Sequence, residues 1–576
     1  MSFSAIRSIA TSALTSTQVR MQVTSSNIAN ADVDGYTKKT ATQAATTSSG
    51  AGTGTVVTAI KSDVDKFLLR DVIAAASELG AANATNGKLD ALQSQLGSTT
   101  SSDGSGTSIS DTISTLLTSL TSLSGTVESD TLQGLAVESL DAVASQLRET
   151  SATVQDLRAQ ADEGIADAVD TANEALQTIS DLNEQIVAAK ALGQTTADLE
   201  DKRNTALQTV ATQLDVSYIV RANGEMRVST TSGTTLVDGT VHKLTYTPAA
   251  VVGADTVFAG VTVDGKDISS EINSGTIGGL IEQRDTVLVA VQDSLDTLAT
   301  GLIDSLNAAY NAGSSVPAPS SLTGTVAVSA SDTLDASGTL RLAITDSDGA
   351  LVSYSDLELD DLDTVDDLVG AINAISGLSA SVASGKLVIT ASNGDGVAVA
   401  DIDSTLGSSG QGFSDYFGLN DLLVGTSAAN IKVRSDIVGG SGSFSTAVLS
   451  TSDDIATGDI ALSNSSAFAQ SLESVLSGDH AFAASGGLRA QTTSFAEYGA
   501  AIVARVATTA SSASSTLENR QSDYDTSSDA LSSVTGVNVD EETAALNELE
   551  QQYSTAAQLL SILNDMFDAL LAAVKS

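Results

Sequence analysis

The three prolines of this chain, Pro248, Pro317 and Pro319, all lie in its middle. Proline breaks a helix interior by removing a backbone donor and clashing with the preceding turn, so both end regions are free to form long helices. At the C-terminus the apolar spacing uses that freedom. Leu546, Leu549, Tyr553, Ala556, Leu560, Leu563, Phe567, Leu570 and Val574 follow one another in steps of three and four without a slip, which is a coiled-coil seam. Asp540 is placed to cap this helix, Glu541 and Glu542 suit the positive end of its dipole, and Lys575 suits the negative end. A helix from 541 to 575 is about 50 Å long at 1.5 Å per residue.

A thinner seam, Phe3, Ile6, Ala10, Ala13, Thr17, Met21, Thr24 and Ile28, opens the chain. Its alanines and threonines bury little area, so this helix needs a partner. It stops in "SSNIANADVDGYTKK", residues 25–39, a small-residue turn holding Gly35 and Tyr36. There Asn27 and Asn30 are expected to end the helix by bonding loose backbone groups, Gly35 to allow a backbone turn costly for other residues, and Tyr36 to act as an anchor with a polar tip.

Between the ends, residues 65–215 read as helices. One stripe is Ile165, Val169, Ala172, Leu176, Ile179, Leu182 and Ile186, and "ADLEDKRNTALQTVATQL" forms another helix. The polar run 97–108 reads as a break. Asn-Gly and Ser-Gly turns between β-branched stretches predict hairpins over 216–270, and helical spacing returns at 277–311. After Pro319, alternating Leu340, Leu342 and Ile344 and the stretch "GKLVITASNGDG" indicate a mainly β region, interrupted by the helix "TVDDLVGAINAI". A Gly/Ser-rich segment near 438–445 leads back to helices, with a stripe through Ile502, Val506, Ala510, Ala513, Leu517, Tyr524 and Leu531.

The expected fold class is therefore α+β and multidomain. Terminal helices 1–45 and 536–576 pair as an inner coiled coil. A long helical bundle, 46–319 and 465–535, carries the hairpins near 216–270, and a mainly β outer domain, 320–464, is inserted mid-chain. The chain goes out, makes a tip and returns, so its ends meet.

Composition narrows the chemistry. With no Cys there is no disulfide, no thiolate nucleophile and no sulfur-built zinc site. The 71 acidic against 26 basic residues give a net charge of -45, which repels phosphate backbones and anionic lipid and argues against nucleic acid or a membrane as partner. The opening lacks the continuous apolar run of a secretory signal peptide, and no long uninterrupted apolar stretch predicts a membrane-spanning helix. His242 and His480 stand apart in strand-like and loop-like segments, so a metal site or a Ser-His-Asp triad needs distant coincidences. The acidic run 356–367 lacks the spacing and glycine of a calcium loop and reads as a solvated face. "TDSDG" and "SNGDG" read as turns, and "GAGTGT" at 50–55 as a flexible turn rather than a phosphate loop. No catalytic, cofactor or metal residue is expected, and the chain is not expected to be an enzyme.

The residues around the turn carry a resemblance. "SSNIANADVDGYTKK" resembles the N-terminal motif of bacterial flagellar rod, hook and hook-associated proteins: Asn27, Ile28, Asn30, Gly35 and Tyr36 match it, with Lys38 and Lys39 in its basic slot. Ser26, Asp32, Val33 and Asp34 depart from it. The closing stretch from Gly536 resembles the last helix of the hook-associated branch, matching at Gly536, Val537, Asn538, Asp540, Glu541, Glu542, Tyr553, Ala557 and Phe567 to Leu570. "VDKFLLRDV", "ISDLNEQI", "DLEDKRN" and "GGLIEQRD" look like that branch's helical body.

The resemblance implies a structural axial component of the flagellum at the hook-filament junction. It implies export without a cleaved signal peptide by the flagellar type III apparatus, and an extracellular location. The implied partners are the hook protein, the filament-side junction protein and a ring or helical zone of about eleven copies of the chain itself. Before secretion, an export chaperone is expected to cover the seam from Leu546 to Val574. Other readings are another axial protein, such as the filament-side junction protein, hook protein or flagellin, or a scaffold whose β domain is an adhesin or enzyme.

Overall fold

The computed structural model of the chain describes residues 3–48, 51–62, 64–97, 108–440 and 444–575. Most of the polar break, 98–107, together with Gly50 and residues 441–443 of the Gly/Ser-rich segment, lies outside the described residues. The helices, in chain order, are α1 (Phe3–Ala29), α2 (Lys66–Leu96), α3 (Ile109–Gly125), α4 (Asp130–Ala191), α5 (Ala197–Gln213), α6 (Gly275–Glu282), α7 (Leu288–Tyr310), α8 (Val365–Asn373), α9 (Phe413–Phe417), α10 (Ser435–Val438), α11 (Ser466–Ser477), α12 (Phe495–Thr535) and α13 (Val539–Lys575). A π turn, Gln283–Val287, joins α6 to α7. Contacts divide the chain into two compact units, 1–88 with 159–285 and 511–576, and 89–158 with 286–510. These divisions fall inside α2, α4 and α12 and in the π turn. The reason is length: α4 has 62 residues and spans about 90 Å, more than one core can cover.

In the first unit, α1 leads into a long antiparallel hairpin, β1 (Lys39–Ser48) and β2 (Ala51–Ser62), which packs on α1. The flexible turn expected for "GAGTGT" at 50–55 instead lies, from Ala51 on, within β2. The hairpin strands are built from Thr, Ala, Ser and Gly with few large apolar residues, so the usual strand signal is faint. The expected α4 stripe is buried, with Ile165, Ala172, Leu176, Ile179 and Ile186 fully so. It packs with Leu69 and Ile73 of α2, Leu207 and Val210 of α5, and the predicted hairpins. Those hairpins form two three-stranded sheets: β3 (Val216–Val220), β4 (Met226–Thr230) and β5 (Thr235–Val237), then β6 (Leu244–Thr245), β7 (Thr262–Val263) and β8 (Lys266–Asp267). Gly279 lets α6 approach α2, because a Cβ there would lie 2.6 Å from the Ala81 carbonyl oxygen.

The second unit has a helical core of α3, α7, α11 and the nearer parts of α2, α4 and α12. Leu116, Leu147, Val154, Leu295, Leu302, Leu472, Tyr498 and Ile502 meet there. Its β region contains β9 (Ser321–Thr323), β10 (Ala336–Ser337), β11 (Thr339–Thr345), β12 (Leu351–Glu358), β13 (Leu378–Ala383), β14 (Lys386–Ala391) and β15 (Gly396–Asp401). Strand order is β12-β11-β15 in one sheet and β13-β14-β9 in another, with α8 against β13. Leu340, Leu342 and Ile344 are buried as expected, but Arg341 and Ala343 between them are buried too. The central strand is covered on both faces: the leucines join one cluster and Ala343 a second with Leu351, Ala398 and Leu449. Arg341 is held by Asp356 at 2.7 and 2.8 Å and by the Ser452 carbonyl at 2.8 Å.

Where the sequence reading expected no membrane-spanning helix, two stretches, 275–310 and 495–574, are long and apolar enough to cross a membrane by length and composition. The expectation required an unbroken apolar run, whereas these reach the threshold on average. Leu295, Leu298, Leu302 and Leu306 of the first stretch are core residues.

Candidate assembly interface at the paired terminal helices

The site is built where α1 ends. Asn30 closes the helix as expected: its Nδ2 donates to the Ser26 carbonyl at 2.8 Å, and its backbone N–H donates to the same oxygen at 3.1 Å. Gly35 has φ +74°, and a Cβ there would lie 2.4 Å from Thr205 Oγ1 on α5, so conformation and space both require glycine.

Asn27 does something other than cap. Only 1% exposed, its side chain uses four hydrogen bonds to tie three segments together. Nδ2 donates to the Lys39 carbonyl at 3.0 Å and to Glu542 Oε2 at 2.9 Å. Oδ1 accepts from the Lys39 N–H and from the Tyr36 hydroxyl, each at 3.0 Å. The helix end, the first residue of β1 and the first turn of α13 therefore meet on one amide. Its planar group offers two donor hydrogens and an acceptor oxygen with two lone pairs, and each is used.

Around this amide the basic slot is filled by charge pairing. Lys38 Nζ lies 3.0 Å from Glu542 Oε1 and 3.6 Å from Glu541, while its N–H donates to the Thr535 carbonyl at the end of α12. The hydrogen bond to Glu542 holds the Lys38 ammonium above its ordinary pKa. Lys39 is buried and pairs with Asp201 of α5, and its Nζ sits 4.3 Å from the centre of the Tyr36 ring. Asp201 also accepts from Thr37, through N–H at 3.0 Å and Oγ1 at 2.6 Å. Burial raises the Tyr36 phenol above its usual value. Tyr36 gives its ring face to Lys39 and its hydroxyl to Asn27, whereas the part played by Asp201 was not foreseen. Its one signal was the match of "DLEDKRN" to the family.

The cap of α13 also differs from expectation. Asn538, not Asp540, accepts from the N–H groups of Asp540 at 3.0 Å and Glu541 at 3.2 Å. The helix begins two residues earlier than expected, which turns Glu542 inward to Asn27 and Lys38.

Beyond this junction α1 and α13 run antiparallel. Asn27 meets Glu542, Arg20 Nη1 donates to Gln552 Oε1 at 3.4 Å, and the rings of Phe3 and Phe567 lie 6.4 Å apart. Between the two outermost contacts 24 residues pass on α1 (27 − 3) and 25 on α13 (567 − 542), so the helices stay side by side over that length. In the N-terminal seam, Ala10, Thr17 and Thr24 are buried and Phe3, Ile6, Ala13, Met21 and Ile28 half-buried. On α13, Leu549 and Leu563 are buried, and Leu546, Ala556 and Leu560 are half-buried. The rest of that seam is uncovered, Tyr553, Phe567, Leu570 and Val574 rising from 41% to 77% exposed. Leu559, Ile562 and Met566 form a further exposed apolar stripe off the seam. Of the expected seam α1 covers only part, because its small side chains make a narrow partner.

The hairpin steadies α1 from another side. Gln43 Nε2 donates to Ser16 Oγ at 2.5 Å and the Thr55 N–H to Ser12 Oγ at 3.2 Å.

The remaining candidates have structural partners. His242 Nδ1 is 2.6 Å from Asp264 Oδ2. His480, expected in a loop, begins a short strand and lies over Phe495 with centroids 4.3 Å apart. In the acidic run, Thr364 and Asp367 form a capping box for α8. "TDSDG" and "SNGDG" are turns, with Gly349 and Gly394 at positive φ. Among the described residues no group of three or more His, Asp or Glu is arranged to hold a metal.

A family profile described as the flagellar hook-associated protein FlgK helical domain matches residues 93–319, and one described as flagella basal body rod protein matches 8–37, the α1 end and its turn. The chain is 24% identical over 98% of its length and 98% of the relative's to flagellar hook-associated protein 1 of Salmonella typhimurium. It is 25% identical to the protein of the same name from Escherichia coli, over 53% of this chain and 56% of that one. A solved structure titled as the flagellar hook junction protein FlgK from Burkholderia pseudomallei aligns with TM-score 0.45 and 17% identity, covering 80% of this chain and 98% of its own. The rod-type turn, the helical-body profile and the likeness along almost the whole chain converge on the flagellar hook-associated proteins as what this chain is similar to.

Proposed function

We propose that this chain is a structural subunit of the bacterial flagellum that assembles at the hook tip as the junction on which the filament is attached. The observation that carries the reading is the α1 and α13 pair: latched at one end by Asn27, Glu542 and Lys38, it leaves Phe567, Leu570, Leu571 and Val574, with Leu559, Ile562 and Met566, facing solvent. Burying seven half-exposed side chains of this size is worth on the order of 5–10 kcal/mol per subunit before the cost of association. A monomer gains nothing from such a surface, whereas a closed zone of identical neighbours covers it.

In this reading the family's role is structural and the chain is not an enzyme. Its partners are copies of itself, about eleven in a ring or helical zone, with the hook protein on one side and the filament-side junction protein on the other. The flagellar type III apparatus exports it, and a chaperone shields α13 beforehand, since an exposed apolar helix invites aggregation. Deleting the gene and viewing cells by electron microscopy tests the reading. Hooks without filaments, with flagellin shed into the medium, are expected; normal filaments would overturn it. Chaperone capture by a chain truncated before residue 540 would refute the shielding role of α13.

A further inference from the structure

Arg203, on α5, is 3% exposed, and Tyr218, on β3, is 7% exposed. Part of the guanidinium is well used: Nη1 donates to Asn183 Oδ1 at 2.9 Å and to the Gly224 carbonyl at 2.7 Å. Asn183 in turn brackets Met226, accepting from its N–H at 2.9 Å and donating to its carbonyl at 2.8 Å, so this amide is committed to β4. Two donors are left over. Arg203 Nε and the Tyr218 hydroxyl are both buried, and neither has a hydrogen-bond partner among the described residues.

The charge is left over as well. Among the described residues Arg203 makes no ion pair, and Glu200, the acid whose charge acts on it, is engaged by Lys190 at 3.3 Å and by the Thr196 hydroxyl at 2.9 Å. A second cation stands close by, the Arg70 guanidinium lying 5.8 Å from the centre of the Tyr218 ring. Burial raises the Tyr218 phenol above its ordinary pKa, and Arg70 and Arg203 both act to lower it, so positive charge reaches the hydroxyl. Buried charges in proteins are paired, and buried donors without a partner call for a bound water or ion. A water can accept from one donor or both, but it leaves the guanidinium unneutralised. A small anion accepts from N–H and O–H together and offsets the charge. The burial of both side chains favours the smallest such ions.

We propose that Arg203 Nε and the Tyr218 hydroxyl hold a halide ion, chloride in ordinary saline, where α5 meets β3. The site is independent of the assembly reading. It has a bearing on the junction of the chain's ends, because α5 also carries Asp201, which pairs with Lys39, and Thr205, which faces Gly35. An ion that clamps α5 to β3 steadies the helix from which both residues reach that junction.

The test measures the Tm of the purified full-length chain at fixed pH and ionic strength in sodium chloride, sodium bromide and sodium gluconate, whose anion is too large for an enclosed site. Tyr218→Phe is run beside it, since it keeps the ring and deletes one of the two donors. General salt effects act on both chains alike, so the readout is the difference in their responses. On exchange of gluconate for chloride or bromide at about tenfold the dissociation constant, the wild-type Tm should rise by about 2–4 °C more than that of the variant. Equal responses overturn the inference and leave a water to complete the donors. Diffraction from wild-type crystals grown in bromide gives the position: an anomalous peak between Arg203 and Tyr218 is expected, and no peak there overturns the site.

Discussion

Replacing Asn27 with alanine tests whether the two ends of the chain are latched through one amide. The substitution removes four hydrogen bonds at a site 1% exposed. Glu542 keeps Lys38, and the partly exposed Tyr36 hydroxyl can turn to water, so those two losses are small. The Lys39 N–H and C=O are left without their partner in a buried position, and each such group costs about 1–3 kcal/mol. Summed conservatively, the junction loses about 2–4 kcal/mol, a roughly 30- to 700-fold rise in local opening. Hydrogen exchange at the amides of Thr37 and Lys38 reads it, because their acceptors, Asp201 and the Thr535 carbonyl, are untouched by the substitution. Asn27→Asp sharpens the test. It keeps the acceptor for Lys39 and Tyr36 but sets a second carboxylate against Glu542, so protection should recover on acidification as the pair takes up a proton. Thr37 and Lys38 exchange within twofold of wild type in Asn27→Ala would refute the latch.

Three further outcomes follow from the same geometry. Leu549→Ala, at a position 3% exposed, should weaken the α1 and α13 pairing by about 2–4 kcal/mol in hydrogen exchange, whereas Leu570→Ser, at 57% exposed, should change the monomer by less than about 0.5 kcal/mol and be felt only in flagellar assembly. Lys38 and Tyr36 both have raised pKa values, so both bind protons more tightly when folded. Their contribution is complete below about pH 10, the ordinary range of both groups, and declines as pH rises through the folded values; alkaline exchange of the α13 start should accelerate in wild type and less so in Lys38→Met. Arg341→Met should lower the Tm of the second unit, since it strands Asp356 and the Ser450 and Ser452 carbonyls at a cost of about 2–4 kcal/mol.

What the sequence made legible was whatever repeats. The steps of three and four from Leu546 to Val574 and from Ile165 to Ile186 mark helices because each burial event recurs on one face. Gly35 was legible because a positive φ selects glycine. Asn27 was legible as important but not in its role, since an asparagine near a helix end has the same appearance whether it caps its own backbone or reaches a strand and a distant helix. Glu542 was read as a dipole partner for the same reason: 515 residues separate it from Asn27 in sequence, and no local pattern encodes their meeting. The β1 and β2 hairpin was missed because threonine and alanine strands lack contrast between faces. The two-sided burial of β11 was hidden because Arg341 looks like an outward residue until Asp356 and two carbonyls surround it.

The separation between Asn27 and Glu542 has a consequence in time. During synthesis α1 emerges first and α13 last, so the earliest helix waits through nearly the whole of translation for its mate, while local helical contacts between them can already form. Closing so long a loop adds only a logarithmic entropy cost, but it places this pairing among the slowest contacts of the chain. The order of birth thus leaves α1 single until α13 has been made, and the latch at Asn27 closes only then.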